Sequence, residues 1–158
     1  MMNRFLRLSM VSVLTLGISG IGVAKEGKGS LQEHAIQYRQ GAFHVIAWNF
    51  GAMAEMVKGK IPFDAKAFAE KATKVEMLSH FPLEGFMIEG SDKGKTEAKA
   101  ALWKEIDKFK EKMGKFEEES AKLVEVSKSA TKVEDVKAQF EATGKTCKGC
   151  HEKYKEDD

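Results

Sequence analysis

At 158 residues the chain fits a single domain, and beyond its first 24 residues no stretch is apolar enough to span a membrane. It sets 26 Lys and Arg against 24 Asp and Glu, but Arg4 and Arg7 fall in the first segment. The remainder is therefore balanced in charge, which excludes a basic patch for nucleic acid.

Residues 1–24 carry Arg4, Arg7 and no acid, then an apolar run over 8–21, and end on the small-x-small pattern Gly22-Val23-Ala24. The run is short of the roughly 20 residues a membrane span needs, so this is read as a secretory signal peptide. The expected exported domain is 25–158.

Helical periodicity dominates the remainder of the chain, and no region alternates with period two. Ser30-Leu31-Gln32-Glu33 reads as a capping box opening a first helix to about Lys58, broken by Gly59 and Pro62. Asp64 caps a second helix reaching about His80 and ended by Pro82. A loop over 81–94 carries Gly85, Gly90 and Gly94.

Thr96 is the expected start of a third helix, to about Ser127. Its apolar positions Leu102, Ile106, Phe109, Met113, Phe116 and Leu123 follow a bundle seam. Thr131-Lys132-Val133-Glu134 reads as a second capping box, opening a last helix to about Lys155 with Gly144 as a weak point. The expected fold is all-α, an antiparallel up-down-up-down four-helix bundle.

The last helix carries Cys147-Lys148-Gly149-Cys150-His151. Residues three and four apart share a helix face, so both thiols reach one edge of a porphyrin and His151 projects under its iron. Two vinyl groups joined to Cys147 and Cys150 would fix the ring relative to the imidazole. The competing readings are a redox or structural disulfide and a zinc site. A thioredoxin-like motif belongs at a helix start in an α/β context, and zinc needs more ligands than two cysteines and one histidine. Covalent haem c, one per chain near the C-terminal end of the last helix, is the expected cofactor.

A C-terminal haem motif, four helices and Tyr38-Arg39-Gln40 in the first helix together resemble cytochrome c prime, the high-spin branch of the class II c-type cytochromes. The resemblance spans the chain beyond the leader. It implies a non-enzymatic periplasmic protein with five-coordinate iron that binds nitric oxide and carbon monoxide and can transfer electrons to an unidentified redox partner. It also implies a homodimer.

The first helix supplies the wall opposite His151 in that family. At about 100° per residue, Ile36, Phe43, Ala47, Phe50, Ala54 and Val57 cluster on one face, with Arg39 about 40° from Phe43. Arg39 can snorkel past the bundle edge, pair with an acid of another helix, or face a haem propionate. The resemblance favours the propionate. It also sets Phe43 on the distal side of the iron, Gln40 along the ring and Phe86 within reach of it.

A six-coordinate electron carrier is the alternative. No methionine lies between Leu31 and Ala52, and Met53 is about 15 Å beyond Phe43 along the helix axis. Met77, Met87 and Met113 are read as core fillers. His34 should face water, and His80 should cap a helix or lie at the surface. His44 alone is placed to be a second ligand, although a surface or helix-interface position is the favoured reading.

Phe86, Met87 and Ile88 should fold back over the bundle, while Trp48 and Trp103 have no assigned chemistry beyond a subunit contact. The Lys and Glu runs of the third helix are read as its solvated face, and residues 156–158 as a frayed tail. Many family members carry arginine a few residues after the haem histidine; this chain has Lys155, which keeps the charge and loses the planar fork.

Overall fold

The structure is a computed structural model that describes residues 29–156. The expected leader over 1–24 and the terminal Asp157 and Asp158 lie outside the described residues. Six helices occur among the described residues: α1 (Leu31–Val57), α2 (Ala65–Ser79), α3 (Pro82–Phe86), α4 (Ala101–Lys104), α5 (Ile106–Ser127) and α6 (Val133–Tyr154). The four long ones form the antiparallel up-down-up-down bundle, α1 packing on α2, α2 on α5 and α5 on α6. Among the described residues, no helix is long and apolar enough to cross a membrane.

The caps of α1 and α2 follow from their sequences. Ser30 Oγ accepts from the Glu33 amide, and the Glu33 carboxylate accepts from the Ser30 amide. Asp64 accepts from the Ala67 amide. The expected box at the last helix is displaced by one residue. Asp135, rather than Glu134, receives the amides of Thr131 and Lys132.

Two further boundaries differ. The 81–94 loop contains a single helical turn, α3, because Pro82 at its first position supplies a helical φ and needs no intrahelical partner. Thr96 does not start a helix. Its hydroxyl is occupied by the Ala98 amide and the Arg39 guanidinium, Ala98 pairs with Lys155 in an isolated antiparallel bridge, and helix resumes only at Ala101. A break at Glu105 then separates α4 from α5; the Glu105 carboxylate accepts from Tyr154 and pairs with Lys153.

The bundle core is built from Met53, Phe68, Val75, Phe109, Leu123 and Val136; of the predicted seam, Leu102 of α4 and Met113 and Phe116 of α5 also lie inside it, and Ile106 is partly buried against it. On α1 the buried set is Ala35, Ile36, Arg39, Ile46, Asn49, Met53 and Met56. That face is turned roughly 80° from the predicted stripe. Phe43, Ala47 and Phe50 of the predicted stripe line a cavity instead, so α1 has one apolar face for the core and a second for a ligand. Met113 is buried as expected, whereas Met77, on the outer face of α2, and Met87, just past α3, are exposed rather than core fillers. The charged run of α5 is mostly solvated, but Glu119 is buried, accepting from Gln139 and pairing with Lys115 and Lys122, which together hold its carboxyl down at about 2.

His80 is exposed at the end of α2, as expected, and pairs with Glu76 of its own helix and Glu117 of α5. The Glu76 hydrogen bond, outweighing partial burial, raises its pKa. A histidine whose pKa is raised on folding stabilises fully below its unfolded value of about 6.5 and loses that contribution as pH rises through the folded value. Thermal melts of the wild type and His80→Gln should therefore differ near pH 5 and converge above about pH 8. An equal gap at both ends would mean that protonation has no part in the α2–α5 tie.

Candidate haem site

Toward the end of α6, successive helical turns present Cys147, Cys150 and His151 to one cavity of about 520 Å³. It opens between α1, α5, α6 and the segment around Thr96–Ala98, where α1 and α6 stand apart. Its lining is chiefly apolar: Phe43, Ala47 and Phe50 come from α1, Phe86 from α3, and Phe109, Met113 and Phe116 from α5. The α5 seam thus serves both the core and this wall.

The thiols are free and half-buried, and Cys147 Sγ lies 3.7 Å from the Thr143 carbonyl oxygen. Burial raises the Cys147 thiol and pushes Cys150 up to about 11. A redox dithiol works through a thiolate favoured by a depressed pKa, so these cysteines have the wrong electrostatics for that chemistry. Zinc is no better served: among the described residues no group of three or more His, Cys, Asp or Glu is placed to hold a metal. His151 is solvent-accessible on its cavity side, yet surrounding protein desolvates it enough to lower its pKa, with Lys155 adding to the shift. That favours neutral imidazole, the form that ligates iron.

Across the cavity, the Phe43 ring centroid is 6.4 Å from that of His151, with the planes at 80°. Phe43 also touches Phe86 at 6.3 Å, and Phe86 meets Phe109 edge-on at 4.8 Å. Gln40 is on the wall, its amide donating to Lys95 O at 3.1 Å. His44 is exposed beside the cavity, with Nδ1 2.8 Å from Gln40 O. His34 is exposed as expected. Lys155 reaches the wall and pairs with Glu97 at 3.1 Å.

Arg39 is buried and also lines the cavity, and burial lowers its pKa to about 10. Its terminal nitrogens are satisfied by neutral oxygens of Gly85, Ser91 and Thr96, so burial of this cation does not of itself require an anion. Trp103 is no free surface group: its indole N–H donates to Phe86 O at 3.0 Å. Trp48 is 78% exposed.

Two lining residues carry little signal in the sequence. Tyr154, buried on the cavity wall, is marked only by lying three residues after His151 on one helix face. Lys112 sits in a charged run that reads as solvated, yet its Nζ lies within 3.8 Å of where a side chain on Gly149 would begin.

A wide apolar cavity with two protonated thiols and a neutral imidazole on one wall fits a covalently held porphyrin and defines a c-type haem protein on a helical bundle. Residues 34–155 match the family described as Cytochrome C'. A cytochrome c' of Rubrivivax gelatinosus is 46% identical over 77% of this chain and 94% of its own length. The solved cytochrome c prime of Shewanella frigidimarina is 49% identical with a TM-score of 0.76, covering 80% of this chain and 97% of that one. That of Alcaligenes xylosoxidans, whose L16A variant was solved as a nitric oxide complex, is 30% identical with a TM-score of 0.73 over 80% of this chain and 97% of its own. The chain belongs to the cytochrome c' family, and it carries haem c covalently.

Proposed function

We propose that this is a periplasmic haem protein whose iron is five-coordinate and binds nitric oxide and carbon monoxide, with electron transfer as a second capacity. Cys147 and Cys150 form the thioethers and His151 is the axial ligand. Gln40, Phe43 and Phe86 contact the ring, and Arg39 offers positive charge toward a propionate. The observation that carries the reading is the Phe43 ring standing opposite His151, since a phenyl group cannot ligate iron. An open iron coordinates a diatomic gas, and the apolar wall disfavours water and larger anions. Variants of the Alcaligenes xylosoxidans protein solved with nitric oxide and with carbon monoxide support the same class of ligand. The leader at 1–24 supports export.

Arg39 and His44 both line the cavity, but the Arg39 nitrogens are committed to Gly85, Ser91 and Thr96 and His44 Nδ1 lies against Gln40 O, which supports a non-enzymatic reading. His44, beside the cavity, motivates a second reading as a six-coordinate electron carrier. The exposed residues Leu31, Tyr38, Val45 and Trp48 of α1 recur at spacings of seven and three, which supports a second copy of the chain as partner.

Absorption spectra of the dithionite-reduced holoprotein, with and without carbon monoxide, test the assignment. A broad visible band that sharpens with the gas is expected. A sharp α band indifferent to it would establish a strong sixth ligand and overturn the five-coordinate reading in favour of His44.

A further inference from the structure

Arg39 is 1% exposed, and all four of its hydrogen bonds cross to one distant stretch of chain. Nη1 donates to Gly85 O at 3.0 Å and Ser91 Oγ at 2.9 Å; Nη2 donates to Ser91 O at 2.7 Å and Thr96 Oγ1 at 2.8 Å. The guanidinium stacks over Phe86, 4.3 Å from its centroid, with Trp103 at 5.4 Å. Ser91 is fully buried, and its hydroxyl donates a hydrogen bond to Gly85 O.

The same stretch runs close along α1. A Cβ on Gly85 would sit 2.8 Å from Ala35 O, so only glycine permits the approach. The amides of Gln32 and Gln40 add exposed ties to Glu89 O and Lys95 O. Beyond Thr96 the chain is pinned to the end of α6, Lys99 N donating to Tyr154 O and Glu156 N to Glu97 O. Phe86, Thr96, Glu97 and Ala98 form one wall of the cavity.

We infer that Arg39 is a positioning residue that latches residues 85–96 onto α1 and so sets how readily that wall opens to admit a diatomic ligand. Charge-assisted bonds in a buried setting are the strong ones, and a planar fork satisfies four acceptors where an ammonium cannot. The latch stands on the hydrogen bonds; the gating half rests on the gas-binding reading above.

The holoprotein is compared with Arg39→Lys and with a Ser91→Ala/Thr96→Val double variant, which removes acceptors and leaves the charge untouched. Tryptic cleavage after the exposed Lys93 and Lys95 reads the latch, and the stopped-flow rate of carbon monoxide association reads the gate. Both variants should raise cleavage at those two lysines about tenfold, with Lys66 and Lys128 unaffected, and should speed gas entry. If only Arg39→Lys has an effect, Arg39 acts through its own fork and packing rather than through Ser91 and Thr96, and the latch is wrong. Faster cleavage at every lysine would likewise overturn it, as a global loss of stability. Local cleavage with an unchanged association rate overturns the gating half. If the wild type binds no carbon monoxide, the gas-binding reading fails, while segment-specific cleavage still supports the latch.

Discussion

Replacing both Cys147 and Cys150 by serine should release all the haem into acidified organic solvent, while wild-type protein from a host with cytochrome maturation keeps its colour with the polypeptide. Serine preserves size and leaves nothing to form a thioether. The double variant can then hold the ring only through His151 and the apolar wall, so its occupancy follows mass action and falls on dilution. Either single variant keeps one covalent bond and should remain extraction-resistant. Extraction-resistant colour in the double variant would place the attachment elsewhere and remove the basis of the site.

The haem motif was legible because its chemistry is local: three residues within five positions of one helix carry the ring's attachment and its axial ligand. The long helices were legible for a similar reason, since Ser30 with Glu33, Asp64 and the α5 seam each signal through near neighbours. What failed to show was decided across the fold. Thr96 has the residue type of a helix cap, but Arg39, 57 positions away, takes its hydroxyl. The wheel of α1 averages two apolar faces into one, and only the cavity separates the core set at Met53 and Met56 from the ligand set at Phe43 and Phe50.

Arg39 shows the same limit at the site. Its place beside the apolar face of α1 was readable, with snorkelling still open, whereas its partners belong to a stretch with no periodic pattern, held by backbone carbonyls and small hydroxyls that sequence does not distinguish from ordinary loop residues. Lys112 was hidden in the opposite way, by resembling its solvated neighbours in a charged run.

Two phenylalanines separate stability from function. Phe68→Ala should cost about 3–5 kcal/mol and lower the melting temperature by ~10 °C or more. That side chain is fully buried against Phe63 and Phe140, at centroid distances of 5.5 and 6.2 Å, and no ligand can refill the void. The haem spectrum and its response to carbon monoxide should be unchanged, because Phe68 is not part of the cavity wall. Phe43→Ala should do the reverse. Its ring is half-buried, so its loss costs about 1 kcal/mol, but it is the group facing His151. Removing it should speed carbon monoxide association by about tenfold, equivalent to ~1.4 kcal/mol of steric barrier. If Phe43→Ala left the association rate unchanged while Phe68→Ala altered it, the ligand would be entering from another side, and the distal role of Phe43 would be lost.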